Sequence, residues 1–78
     1  MERDDVQHLA ELLLSRSGLQ STFRLVSVKA GENSWIIVLE HPEEGEVEVF
    51  LLKRAVDRKA IEYLEDSFRR QIEAALAA

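Results

Sequence analysis

Between residues 22 and 52 the chain reads as three short β-rich runs, 22–29, 34–40 and 46–52, separated by four and five residues. β-Branched and aromatic side chains dominate each run, and each connection carries a glycine, so the runs join as hairpins into an antiparallel meander. The first connection is Ala30-Gly31-Glu32-Asn33. The second, His41-Pro42-Glu43-Glu44-Gly45, fits a type I turn with Pro42 at its first central position and Gly45 as the left-handed residue that re-enters the ladder.

The connections also set a register. With Glu40 opposite Glu46, Leu39 faces Val47, Ile37 faces Val49 and Trp35 faces Leu51; with Lys29 opposite Ser34, Val26 and Val28 join the same side. One face then holds eight apolar residues, and a one-residue slip of the first strand would replace two of them by Ser27 and Lys29. The second face carries Phe23, Leu25, Ile36, Val38, Phe50 and Leu52 beside Ser27, Glu40, Glu46 and Glu48. A solvated sheet face alternates to polar residues, whereas this one could show a few hundred Å² of apolar surface, the size that marks an interface.

Helices flank the meander. Val6, Leu9, Ala10, Leu13 and Leu14 give a helical stripe over residues 5–15, with Asp4 as N-cap, Gln7 completing a capping box and Gly18 ending the helix. Ile61, Leu64, Phe68, Ile72, Ala75 and Leu76 form the stripe of a longer helix over 56–77, with Asp57 as its N-cap. Glu65 with Arg69 and Asp66 with Arg70 stand in the favourable acid-first order four residues apart. The predicted fold is α+β, in the order α-β-β-β-α: a three-stranded antiparallel meander packed by an N-terminal and a long C-terminal helix. It forms one domain over residues 1–78. Trp35, Ile37, Leu39, Val49, Leu13, Leu64 and Phe68 are its expected core.

At 78 residues the chain has room for one thin core, in which each large apolar side chain matters. The longest apolar run, residues 35–39, is far short of the roughly 20 residues needed to cross a bilayer. The acidic N-terminus lacks a signal-peptide layout, so a cytoplasmic location is expected. There is no cysteine to build a disulfide or a thiolate metal site. Neither His8 nor His41 has a nucleophile or an orienting carboxylate nearby in sequence. The serines fit no nucleophile elbow, and no glycine loop suits a phosphate. The expectation is therefore a non-enzymatic protein without cofactor or metal. Glu40, Glu46 and His41 suggest at most a cation site on a hairpin tip, where oxygens converge poorly.

Charge is segregated along the chain. Residues 40–48 hold five glutamates and no base, whereas Lys53, Arg54, Arg58 and Lys59 follow against Asp57 alone. Such a cluster at the start of a helix is a candidate anion site, and its plainer reading is a solvated surface. The element order resembles that of the double-stranded-RNA-binding domain, which places a Lys-Lys-x-Ala-Lys motif at the start of its last helix. Lys53-Arg54-Ala55-Val56-Asp57-Arg58-Lys59-Ala60 is similar to it in charge. The resemblance implies polyanion or nucleic-acid binding through Lys53, Arg54, Arg58 and Lys59. The Ala30-Gly31-Glu32-Asn33-Ser34 loop lacks that family's Gly-Pro-x-His contact, and the net charge of −5 opposes a polyanion.

Two arrangements satisfy the second sheet face. One helix can cover each face, or both helices can share the first and leave Phe23, Leu25, Ile36, Val38, Phe50 and Leu52 to another copy or another protein. Each helix has a single main stripe and the first face has eight residues to receive them, which favours the latter and a homodimer. Tyr63, off the main stripe of the last helix, is left either half-buried or free for a partner.

Overall fold

The computed structural model describes residues 2–77. Helix α1 (Arg3–Arg16) leads into strands β1 (Arg24–Ala30), β2 (Ser34–His41) and β3 (Gly45–Leu52), followed by α2 (Lys53–Asp57) and α3 (Ile61–Ala77). The strands form one antiparallel sheet in the order β1-β2-β3, so the α+β meander expected from the sequence is present.

Helix α1 begins two residues earlier than its sequence signals suggest. Its N-cap is Glu2, and the Glu2 N–H donates to the Asp5 carboxylate at 3.4 Å, giving the reciprocal arrangement expected of Asp4 and Gln7. Its C-terminus follows expectation. Gly18 sits at φ +71°, with Gly18 N–H bonded to the Ser15 carbonyl and Leu19 N–H to the Leu14 carbonyl, the Schellman pattern.

The β2–β3 register is the one read from the sequence, from His41 opposite Gly45 to Ser34 opposite Leu52. Gly45 has φ +82°, and the His41 Nδ1 accepts from the Glu43 and Glu44 N–H groups at 3.1 and 3.0 Å, tying the turn to its own side chain.

Strand β1 departs from expectation. The first turn closes through Gly31 N–H to the Ser34 carbonyl at 2.8 Å, so Ala30 pairs with Trp35 and Lys29 with Ile36 instead of Ser34. A β-bulge between Leu25 and Ser27 then places Val26 and Ser27 together opposite Val38. Residues ahead of the bulge change sides. Phe23 and Leu25, assigned above to the second face, lie on the first: Phe23 is 4% exposed and edge-on to His41 at 5.2 Å, and Leu25 packs against the core. Val26, assigned to the first face, is turned out at 39% exposure. Exposing one valine to bury a phenylalanine and part of a leucine is a net gain of apolar burial, since a buried Phe contributes about 1.5–3 kcal/mol.

The predicted helix 56–77 is two helices. Val56 and Leu64 are both fully buried, yet at about 100° per residue Val56 stands roughly 120° from Phe68 around one straight helix. The chain meets both demands by breaking. Helix α2 ends in a second Schellman motif, with Lys59 N–H to the Val56 carbonyl and Ala60 N–H to the Ala55 carbonyl, and Lys59 takes φ +55° where a glycine is usual. Asp57 therefore lies in the last turn of α2 and is not an N-cap. At the far end Ala75 and Leu76, expected on the stripe, are exposed. Asp66 pairs with Arg70 as expected, but Glu65 reaches across to Arg16 of α1 at 2.7 Å, and Arg69 pairs with Asp66.

One cluster gathers Val6, Leu9, Leu13 and Leu14 of α1, Leu64, Phe68 and Ile72 of α3, and the sheet face of Val28, Trp35, Ile37, Leu39, Val47, Val49 and Leu51. All seven residues expected in the core are buried. Both long helices therefore lie on the same side of the sheet.

Candidate functional site

The face away from the helices is defined by the pairing. From the β2–β3 hairpin towards the other end it carries Arg24, Glu40 and Glu46 in one row, then Val26 with Ser27, Val38 and Glu48, then Lys29, Ile36 and Phe50, and last Ser34 and Leu52. Of the six residues assigned to it from sequence, Ile36, Val38, Phe50 and Leu52 are together on this face, while Phe23 and Leu25 are not. Val26 is the member that sequence reading placed elsewhere, because nothing local announces the bulge.

Phe50 and Leu52 are 46% and 43% exposed; Val26, the half-buried Ile36 and Phe50 neighbour Val38, and Leu52 continues the strip beyond Phe50. Val38 is only 4% exposed although it stands outside the cluster that the helices cover. Tyr63 of α3, at 52% exposure, extends the apolar surface beyond Leu52. It borders a shallow cleft of about 250 Å³ with Leu52, Arg54 and Arg58. The sequence left Tyr63 open between burial and exposure, and the structure exposes it.

The edge of β3 beside this face is closed by a side chain. Gln71 of α3 donates through Nε2 to the Phe50 carbonyl and accepts through Oε1 from the Phe50 N–H, both at 2.8 Å, while Ser67 Oγ holds the same amide at 3.0 Å. The carboxamide acts as one residue of a fourth strand. It satisfies a backbone position that would otherwise recruit a neighbouring strand. A polar residue on an amphipathic helix carries no sequence signal for this role.

Charge follows the long axis of the face. The hairpin end holds Glu43, Glu44, Glu46 and Glu48, all exposed, while Glu40 is bound to Arg24 at 2.7 Å. That ion pair relieves the Glu40–Glu46 juxtaposition across the ladder. With the His41 Nδ1 engaged by backbone N–H groups, these side chains do not aim at a common point, and among the described residues no group of three or more His, Cys, Asp or Glu could hold a metal ion.

The opposite end is basic, but its four cations are not equivalent. Lys53 is half-buried, with Nζ 5.4 Å from the centre of the Trp35 ring, on the helix side of the sheet. Arg54 and Arg58, one turn apart across α2, are exposed and flank Leu52 and Tyr63. Lys59 is exposed in the break between α2 and α3. The residues predicted from sequence are thus brought to one end of the molecule, with Arg54 and Arg58 next to the open face.

A concavity of about 700 Å³, open to solvent, lies between α1, the 20–23 segment and the start of β1; of its charged lining residues Glu11, Arg24 and Glu40, the last two are spent on each other. Among the described residues no helix is long and apolar enough to cross a membrane. Comparison of the chain with protein-family models, with curated proteins and with solved structures yields no match.

Proposed function

We propose that the protein acts by binding and not by catalysis, as a small interaction module that self-associates through its open sheet face. One observation carries this reading. Two helices share one face of the sheet and leave Val26, Ile36, Val38, Phe50 and Leu52 contiguous on the other. An apolar strip of a few hundred Å² with a polar rim has the make-up of an interface, and Phe, Tyr and Arg at its end are the residue types that anchor one. Two copies of the same face form an isologous contact, the commonest way in which identical chains associate. A three-stranded face is small for this purpose, so the association is expected in the micromolar range. Phe50→Asp tests it. The side chain is half-exposed in the monomer, so the variant should fold, while its thermal midpoint should lose the dependence on protein concentration that the parent chain shows. A parent midpoint independent of concentration between about 2 and 200 μM would refute the reading.

The exposure of Arg54, Arg58 and Lys59 at one corner supports a second reading, polyanion binding, in line with the element order of the double-stranded-RNA-binding domain. The charge of −5 and the engagement of Lys53 with Trp35 weigh against it. Salt-sensitive retardation of duplex RNA at micromolar protein would establish this reading, and its absence would remove it.

A further inference from the structure

We infer that the two copies pack with their strands antiparallel, the twofold axis running across the strands, so that the glutamate hairpin of each lies on the Arg54–Arg58 corner of the other. The inference rests on self-association through the open face and goes further by fixing its orientation.

The argument is electrostatic and begins from the pairing. Glu46 and Leu52 are six residues apart on β3, about 20 Å along a strand, which is more than twice the Debye length of ~8 Å at physiological ionic strength. The two ends of the face therefore act as separate charges. Two facing sheets stand about 10 Å apart, within reach of long side chains. A twofold axis parallel to the strands would lay hairpin on hairpin. It would gather Glu43, Glu44, Glu46 and Glu48 of both copies at one end, and Arg54 and Arg58 of both at the other. Arg24 could not offset this, because it already holds Glu40 at 2.7 Å.

The axis across the strands reverses one copy end for end. Val38 then lies over Ile36 of the other copy, β3 over β3, and the Glu46 end of β3 over Leu52 with Arg54 and Arg58 beside it. The hairpin-end carboxylates Glu43, Glu44 and Glu46 are brought towards the opposite sign, twice over by symmetry, while Glu48, on the outer strand, lies over Phe50 at the margin of the contact. Ile36, Val38 and Phe50 occupy the middle and the charge clusters the two ends, with Lys29 and Glu48 on the outer strands, a layout of apolar centre and polar margin usual for an interface. This orientation also accounts for the segregation of charge between residues 40–48 and 53–59, which the fold alone does not require.

The chain has no cysteine, so single introduced thiols report proximity without interference. Across sheets about 10 Å apart, Glu46→Cys chains mixed with Leu52→Cys chains should be joined by a short bismaleimide linker, and neither should be joined to itself. Glu40→Cys sits on the central strand and should self-couple only with the axis along the strands. In a second arm, Arg54→Glu with Arg58→Glu should weaken association at least ~10-fold, and adding Glu46→Arg with Glu48→Arg in the same chain should restore it to within ~3-fold. All these positions except the half-exposed Glu40 are open to solvent, and far-ultraviolet circular dichroism confirms that each variant is folded. A dimer in which Glu40→Cys self-couples, or in which the charge swap gives no rescue, overturns the orientation and leaves self-association standing. A parent chain that stays monomeric at ~200 μM overturns both, and a shift of duplex RNA by that monomer would assign the arginine corner to a polyanion instead.

Discussion

Replacement of Gln71 probes how the edge of the sheet is held. The Gln71 carboxamide makes two 2.8 Å hydrogen bonds to the Phe50 backbone, at a site open enough for water to take its place. A net contribution of about 0.5–1.5 kcal/mol for each bond, less a few tenths returned by the better helix propensity of alanine, gives a loss of about 1–2 kcal/mol for Gln71→Ala. In a domain of this size that lowers the thermal midpoint by roughly 5–15 °C. Gln71→Glu is the sharper variant. One carboxylate oxygen can still accept from the Phe50 N–H, but the other then opposes the Phe50 carbonyl, oxygen against oxygen. Protonation would restore the donor, so the folded chain favours the protonated acid and raises its pKa above the unfolded value of about 4.3. The bond is therefore present below the unfolded pKa and lost as pH rises through the folded one. At pH 7 the variant should be at least as unstable as Gln71→Ala, and its deficit relative to the parent should shrink below about pH 5. Urea denaturation between pH 4 and 7, with hydrogen exchange at the Phe50 amide, measures both effects. A glutamate variant as stable as the parent at pH 7, with the Phe50 amide still protected, would refute the clamp.

Three further outcomes follow from the packing. Phe68→Ala should cost about 3–5 kcal/mol, comparable to the stability of a whole small domain, because the ring is fully buried where α3 meets the sheet; chemical denaturation should show little folded protein. Lys59→Gly should stabilise by about 0.5–1 kcal/mol, since Lys59 holds φ +55° in the motif that uses Gly18 at the end of α1; an unchanged or lower denaturation midpoint would contradict this. Gly31→Ala should destabilise through a backbone clash, because a Cβ there would stand 2.8 Å from the Ser34 carbonyl oxygen; a wild-type midpoint would show that the β1–β2 turn relaxes freely.

Particular residues show how far sequence reasoning reaches in this fold. The β2–β3 register was legible because Glu46, Val47, Glu48 and Val49 alternate on β3 and the turn length ties them to β2, so a one-residue slip would bury glutamates. β1 was not, because its bulge at Val26 depends on Phe23 reaching the core, a demand visible only when α1 and His41 are in place. The break at Lys59 had no glycine to announce it. The angular mismatch of Val56 with the Leu64–Phe68–Ile72 stripe was the available signal, outweighed by helix-forming composition on both sides. At the open face, alternation correctly placed Ile36, Val38, Phe50 and Leu52, whereas the β1 members were exchanged by the bulge. Charge segregation was legible as a pattern, but that Lys53 turns to Trp35 while Arg54 and Arg58 border Leu52 depends on where α2 begins.

Self-association through the open face is the central claim, and sedimentation equilibrium of the unmodified chain at about 5, 50 and 200 μM tests it most directly. The account predicts a weight-average mass that rises from near the 8.9 kDa monomer towards twice that value, with the rise abolished in Phe50→Asp. A mass that stays at the monomer value across the whole range would contradict it.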